Sequence, residues 1–158
     1  MTAPQYAGFW RRFVAHVIDT AIYLPIALAA LYGIYGPEYF TLEQEAPFQG
    51  FWDVVIQELL PIGLVIWLWH RFGATPGKHM MQLRVIDANT GDKPGWGKST
   101  LRYLAYIISL LPLGLGFLWI AWDRRKQGFH DKIARTLVIY VPEDDSEKSL
   151  EELMKGHA

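Results

Sequence analysis

Residues 9–35 read FWRRFVAHVIDTAIYLPIALAALYGIY, and this stretch decides the fold. A helix of about 20 apolar residues is long enough to cross a hydrocarbon core of about 30 Å. The stretch is longer than the apolar region of a secretory signal and contains no convincing small-residue cleavage site. The sequence therefore predicts a retained transmembrane helix over about residues 9–35.

Two further apolar stretches repeat this pattern, at about residues 51–72 and 101–123. Helices buried in soluble proteins usually have shorter apolar runs, of about 10 to 14 residues. Three long runs in a chain of 158 residues leave too little polar chain to cover them. We therefore expect an all-α integral membrane protein whose main partner is the lipid bilayer.

The two loops between these runs differ in charge, which predicts the orientation. Residues 36–50 carry three glutamates and neither lysine nor arginine, whereas the next loop carries Arg71, Lys78, Arg84, Lys93 and Lys98. Basic loops stay on the cytoplasmic side. This rule places the second loop and the N-terminus in the cytoplasm of a bacterial cell, with the protein multi-pass in the cytoplasmic (inner) membrane.

The third apolar run contains a cluster of helix breakers at Pro112, Gly114 and Gly116. Proline removes a backbone donor and glycine weakens a helix. Basic residues follow the run at once, so a simple crossing would export positive charge against the rule above. Two readings stay open: a broken hairpin that enters the membrane and returns, or a third crossing.

Short β-strands are predicted on the cytoplasmic side. Residues 82–87 alternate polar and apolar side chains, and residues 136–141 are β-branched and aromatic. Neither strand is stable alone, so we expect them to form a two-stranded element. Residues 1–141 then form a single membrane domain, and residues 142–158 form an acidic, flexible tail.

Ionisable residues inside the first apolar run are the main functional candidates, because a charge in the membrane is costly. Arg12, His16, Asp19 and Tyr23 are spaced by four, three and four residues, which places them on one helix face. Asp19 lies about 10 Å deeper than Arg12 along the axis. It needs a partner, a watery cavity or a proton, so it is either a cation or proton site or a structural ion pair or helix cap.

Three further acids belong to the same candidate set. Glu58 lies in the second run, near its outer end, where it can face water or take part in transport. Asp131 can cap a short helical turn or pair with Arg11 or Arg12. Asp123 lies just after the third run, beside an aromatic anchor.

Several functional classes are not expected. The chain has no cysteine, which excludes disulfides, thiolate metal sites and a cysteine nucleophile. Residues 73–79 resemble a phosphate-binding loop but are one residue short and lack the Ser or Thr after Lys78. We expect no cofactor, no metal and no enzymatic activity, and the net charge of −1 argues against nucleic-acid binding.

Several segments along the chain resemble the RDD family of membrane proteins, named for one arginine and two aspartates. They are residues 9–19, 75–78, 83–85, 95–97 and 130–138. The resemblance implies that the arginine is Arg11 or Arg12, with Arg12 on the face of Asp19, and that the aspartates are Asp19 and Asp131. Asp123 competes with Asp131, and Gln82 stands where the pattern usually has glycine.

The same resemblance implies a transport role, with some members acting as cation/proton antiporters. Two or three helices enclose no pathway alone, so this reading requires a homo-oligomer. The alternative is a non-catalytic accessory or assembly subunit of a larger membrane complex, in which the buried ionic groups fix the packing.

Overall fold

The computed structural model describes residues 5–40 and 50–142. Its first long helix, α1, spans Phe9–Tyr35 and is about 40 Å long. It ends at Gly36, whose φ of 79° is a conformation that favours glycine and whose N–H donates to the Tyr32 carbonyl. A short 3₁₀ turn over Pro37–Phe40 follows. The predicted bounds of this helix agree with the structure.

The second long helix, α2, spans Phe51–Phe72 and changes its pitch once. Residues Val55–Leu59 form a π-turn in which the Leu60 N–H donates to the Val55 carbonyl. Pro61 comes directly after this turn and lacks the N–H that would continue an α-helical ladder. The helix ends at Gly73, which has a φ of 71°. Among the described residues, helices α1 and α2 are long and apolar enough to span a membrane, and a bent pair of helices is a third such element if it counts as one span.

The third apolar run, predicted at 101–123 as a broken hairpin or a third crossing, is a bent pair of helices that is broken at the predicted proline and glycine cluster. Helix α4 spans Trp96–Leu110 and starts before the predicted boundary, while α5 spans Leu115–Leu118 and continues as a 3₁₀ turn over Trp119–Ala121. The two arms are bent by 113°. Leu113 and Gly114 both have positive φ values at the bend. Gly116 lets the arms touch, because a Cβ there would lie 2.5 Å from the Ser109 Cα.

Two shorter helices carry functional residues. Helix α3 spans Pro76–Met80 in the loop after α2, and helix α6 spans Phe129–Ala134 near the end of the described chain. They have five and six residues, which is too short for apolar periodicity to predict them.

A small antiparallel sheet joins distant parts of the chain. Strand β2 (Leu83–Asp87) pairs with β3 (Thr136–Tyr140) in the register Leu83↔Tyr140, which confirms the predicted pairing. The two-stranded prediction is nevertheless one strand short, because β1 (Gln5–Tyr6) pairs with the other edge of β3. A strand of two residues has no recognisable alternation.

The core has two parts. One lies under the sheet and includes Trp69, Leu83, Val85 and Val138, and the other packs α1 against α2 through Ala27, Leu31 and Ile56. Most apolar side chains of α1 and α2 point outward, since only 17% and 11% of their most apolar windows are buried. Such large exposed apolar surfaces are those of a membrane protein. Glu43, Glu45 and the predicted tail after residue 142 lie outside the described residues.

Candidate functional site: a buried ionic cluster and a cationic cavity

One buried carboxylate ties three segments together. Asp131 lies on α6 and has no exposed surface. Its Oδ2 accepts a hydrogen bond from Arg12 Nη1 of α1 at 2.5 Å and one from the backbone N–H of Gly128 at 3.0 Å. Its Oδ1 forms an ion pair with Arg102 Nη1 of α4. The three segments are far apart in sequence, so this contact is a major constraint on the fold.

Both guanidinium groups have further partners. Arg12 Nε donates to the Ala7 carbonyl at 2.9 Å, and its Nη2 donates to the Lys126 carbonyl at 2.5 Å. Arg102 Nη1 donates to Thr136 Oγ1 at 2.7 Å. The planar guanidinium of arginine carries several N–H donors and can bind several acceptors at once. The compact ammonium of lysine does not reproduce this geometry.

The charges in this cluster stabilise each other. Burial alone would raise the pKa of the Asp131 carboxyl, but Arg102 and Arg12 outweigh burial and hold that pKa well below its usual range. The carboxyl group is therefore ionised at physiological pH. A buried ion pair of this kind contributes little net stability, yet removing one partner leaves an uncompensated charge.

His130 lies beside the cluster but does not act as a proton switch near neutral pH. Its Nδ1 is 3.1 Å from Ser109 Oγ, and its backbone N–H donates to the same hydroxyl at 3.1 Å. Burial and the positive charges of Arg102 and Arg12 lower the pKa of the His130 imidazole to about 3, although Asp131 opposes this shift. The ring is therefore neutral at physiological pH.

Asp19 caps a helix from another part of the chain. Its Oδ1 accepts from the Gly77 N–H at 2.7 Å, and its Oδ2 accepts from Thr75 Oγ1 at 2.5 Å. These groups lie at the start of α3, whose first N–H groups have no partner within the helix. Glycine is required here, because a Cβ on Gly77 would lie 2.1 Å from the Ala15 carbonyl oxygen. Asp19 therefore docks α3 onto α1.

A cavity of about 610 Å³ lies between the N-terminal part of α1 and the bent pair of helices. Its inner wall carries Arg12, Lys78 and Arg102, together with Tyr106 and His130. Its remaining wall is mainly apolar, and His16 also lines it. The volume matches that of typical small-molecule sites. The two arginines pair with Asp131, whereas Lys78 interacts with Asp19 and Asp131 only through longer-range electrostatics.

Lys78 is the unsatisfied charge in this cavity. Its side chain lies on α3 and is only 8% exposed. Within residues 5–40 and 50–142, the ammonium forms no hydrogen bond or salt bridge, and its described contact is with the Trp69 ring, 5.5 Å away. Burial and the charge of Arg102 lower the pKa of the Lys78 ammonium to about 8. A proton on this group is thus exchanged close to physiological pH.

Comparison with known sequences identifies the family. Residues 6–135 match the sequence profile of the RDD family. The chain belongs to the RDD family. This match confirms the predicted resemblance, and the matched range contains Arg12, Asp19 and Asp131.

Three relatives show how far this RDD chain resembles known proteins. It is 32% identical over 94 residues to the proline-rich antigen homolog of Mycobacterium tuberculosis strain H37Rv, covering 55% of this chain and 39% of that protein. It is 34% identical over 87 residues to the proline-rich antigen of Mycobacterium leprae, covering 52% and 35% respectively. It is 28% identical over 148 residues to an uncharacterized protein of Bacillus subtilis strain 168, covering 85% and 97%.

The chain therefore spans about two fifths of the length of the mycobacterial relatives. The Bacillus protein, in contrast, matches along almost its whole length. No solved structure matches.

The structure brings together some of the predicted RDD site residues. Arg12 and Asp131 are in direct contact, and the choice of Arg12 over Arg11 agrees with this pairing. His16 lines the cavity with Arg12. Asp19 lies on the same helix but is engaged with α3.

The other predicted residues lie apart from the cavity wall. Asp123 forms a 2.5 Å salt bridge with Lys132 and accepts two backbone hydrogen bonds in its own turn. Arg11 lies 4.2 Å above the Tyr140 ring. Glu58 is exposed on the π-turn of α2. Of the two aspartates that competed for the closing motif, Asp131 is thus the one in contact with Arg12.

Two residues of the site were not predicted. Arg102 lies inside the third apolar run, and a charge in an apolar run is itself a signal of function. Lys78 lies in a proline-glycine turn, where a basic residue is ordinarily a solvated loop charge. Its burial depends on the docking of α3 by Asp19, which sequence spacing does not reveal.

Proposed function

We propose that this RDD protein is a multi-pass transporter of the bacterial cytoplasmic membrane that moves an anionic substrate together with a proton, acting as a homo-oligomer. The observation that carries the proposal is the cavity with Lys78 as its unpaired cation. We propose no enzymatic role.

The sign of the substrate charge follows from the charge count in the cavity. Arg12, Arg102 and Lys78 lie near two carboxylates, those of Asp131 and Asp19, which leaves one excess positive charge when Lys78 is protonated. A cation would meet net repulsion there. The sequence-based prediction of a cation carrier needs an available carboxylate, and both Asp19 and Asp131 already have hydrogen-bonding or ionic partners.

The link to a proton follows from the position of Lys78. Because its pKa is lowered to about 8, the Lys78 ammonium, which has no salt bridge among the described residues, is partly neutral at slightly alkaline pH. A bound anion favours the charged form of a neighbouring lysine. Binding of the substrate therefore takes up a proton, and release of the substrate returns it.

The sheet supports a topology in which the third apolar run returns to its starting side. Strand β1 directly precedes α1, and β2 follows α2, so two crossings bring these strands to the same side. Strand β3 lies between them in the sheet. The positive-inside rule then makes this side cytoplasmic. Because two crossings enclose no pathway, transport requires several copies.

A second candidate function is the accessory subunit, in which the ionic groups only hold helices together. Asp131 joins three helices and Asp19 docks a fourth, which favours this candidate. The accessory-subunit function offers no role for Lys78, which has no salt bridge or hydrogen bond among the described residues.

Proteoliposomes that contain a pH-sensitive dye test the proposal. Inward gradients of inorganic phosphate and of octyl phosphate are compared with gradients of K⁺ and Na⁺. We expect at least one phosphate compound to acidify the lumen in the wild type, and the Lys78→Met variant to lose this signal. Lys93→Met is the matched control, because Lys93 is exposed and its ammonium donates to the Arg71 backbone carbonyl at 3.1 Å.

Proton movement driven by K⁺ or Na⁺ and unaffected by Lys78→Met would instead support the cation carrier. If no gradient moves protons and the protein co-purifies with one defined complex, the accessory subunit is the correct function.

A further inference from the structure

The cavity has two chemically different ends. Its inner wall holds the guanidinium groups of Arg12 and Arg102 and the ammonium of Lys78. Its outer wall holds aromatic and aliphatic side chains, with Phe9 and Phe13 from α1 and Leu113 from the bend of the helix pair. A ligand that satisfies both ends has a charged head and an apolar body.

The inner wall requires oxygen acceptors. Arg102 is 1% exposed, and its Nε has no hydrogen-bond partner within the described chain. Lys78 is also more than nine-tenths buried and has no acceptor there. Both oxygens of Asp131 are already paired with Arg12 and Arg102. A phosphate group supplies several acceptor oxygens and the missing negative charge.

The outer wall lies at the exposed surface of the protein. Phe13 is 48% exposed and Leu113 is 96% exposed, although both are large and apolar. Leu118 of α5 lines the same edge and is also exposed. In a membrane protein such side chains contact lipid tails. A freely soluble anion would gain nothing from this wall, whereas an acyl chain would.

We propose that the cavity binds the phosphate head of an anionic lipid, which enters sideways from the bilayer with its acyl chains between Phe13 and the bend at Leu113. The inference rests on the proposed function for this cavity and names its ligand class. Basic pockets between membrane helices are a recognised place for acidic lipid heads.

The volume fits the headgroup and the first part of the acyl chains. About 610 Å³ is within the range of drug-sized ligand sites, so the rest of the lipid stays in the bilayer. Entry from the side also avoids the cost of carrying the acyl chains through water.

Native mass spectrometry of the purified full chain tests the proposal. The detergent-solubilised protein is titrated with phosphatidylglycerol, which is anionic, or with phosphatidylcholine, which is zwitterionic. We expect one phosphatidylglycerol per chain to be retained in preference to phosphatidylcholine. Lys78→Met should weaken this binding by about tenfold, the effect of one lost charge-assisted hydrogen bond. Lys93→Met should leave it unchanged.

Competition separates a lipid head from free phosphate. Octyl phosphate should displace the lipid at much lower concentrations than inorganic phosphate. Phe13→Ser should weaken the binding of octyl phosphate but not that of inorganic phosphate, since the substitution alters only the apolar wall. Equal competition by the two compounds would show that the site binds a soluble anion, and would overturn the lipid proposal.

Two further outcomes are decisive. Equal retention of both lipids in the wild type and in a folded Lys78→Met variant would show unspecific annular lipid, and would also overturn the proposal. Lipid retention without proton movement in proteoliposomes would refute the proposed transport and leave the lipid site standing. Phosphate-driven proton movement without lipid retention would refute the lipid site and leave the proposed transport standing.

Discussion

Arg12 and Lys78 line the same cavity and are equally buried, with 8% of each side chain exposed, yet their surroundings differ completely. Arg12 donates to a carboxylate and to two backbone carbonyls. Lys78 has neither a hydrogen bond nor a salt bridge within the described residues. Burial of a charge alone therefore does not indicate its role. A fully partnered charge holds the fold, whereas a buried charge without a partner is a candidate for binding.

The largest effect is expected from the partnered side of this comparison. Asp131→Asn leaves Arg12 and Arg102 close together without a counter-charge. We expect the free energy of unfolding to fall by about 3 to 5 kcal/mol, as for other broken buried pairs. Denaturant unfolding in mixed micelles measures this loss.

The matched control is Asp123→Asn, since Asp123 pairs with the exposed Lys132. A salt bridge with an exposed partner of this kind contributes at most about 1 kcal/mol to stability. If the two variants lost equal stability, the buried cluster would not be the constraint described above.

The second effect concerns the cap that positions Lys78. Asp19→Ala removes the acceptor for the Gly77 N–H and for Thr75 Oγ1. Loss of a helix cap costs about 0.5 to 2 kcal/mol, so we expect a smaller destabilisation than for Asp131→Asn. The same variant should show faster hydrogen exchange at residues 76–80. Unchanged exchange there would show that Asp19 does not dock α3.

The third variant, Lys78→Met, tests whether the buried charge without a salt bridge contributes to stability. Because the ammonium is buried without a partner, its removal relieves a desolvation cost. We therefore expect stability in detergent without added lipid to stay the same or to increase. A loss as large as that of Asp131→Asn would mean that Lys78 is also a structural charge.

A further effect is the pH dependence of stability that Lys78 confers. Its pKa is lowered from the model-peptide value of 10.5 to about 8, so between these values the unfolded chain binds more protons than the folded chain. Stability contributed by this group therefore rises with pH from about 8 to 10.5. Burial is the main cause of this lowered pKa; the charges of Arg102 and Arg12 add to it, and those of Asp19 and Asp131 oppose it. The wild type should gain stability relative to Lys78→Met over this range, and a constant difference would refute the lowered pKa.

Much of the fold was predictable from local patterns. The length of the apolar run at Phe9–Tyr35 and the alternation at Leu83–Asp87 depend only on neighbouring residues, and both predictions agree with the structure. The bend at Leu113 was expected from nearby proline and glycine. Its angle was not predictable, because it depends on the close contact of Gly116 with Ser109.

The candidate site was only partly predictable. Spacing placed Arg12 and Asp19 on one face of α1, but it did not show that they serve different partners. Asp131 was expected to cap a turn or to pair with an N-terminal arginine, and it does both. Arg102 and Lys78 were not expected in the site, since their burial arises from contacts between segments that are distant in sequence.

The most direct test of the central claim is competitive chemical labelling of lysine amines, followed residue by residue in peptides by mass spectrometry across a pH series. We predict that Lys78 titrates near pH 8 in lipid-free detergent, well below the ordinary lysine value of 10.5. We also predict that added phosphatidylglycerol slows the labelling of Lys78 and moves its titration to higher pH, while the labelling of the exposed Lys93 does not respond to the lipid. Titration of Lys78 near 10.5, unchanged by the lipid, would contradict the claim that this buried charge is free to bind an anionic group.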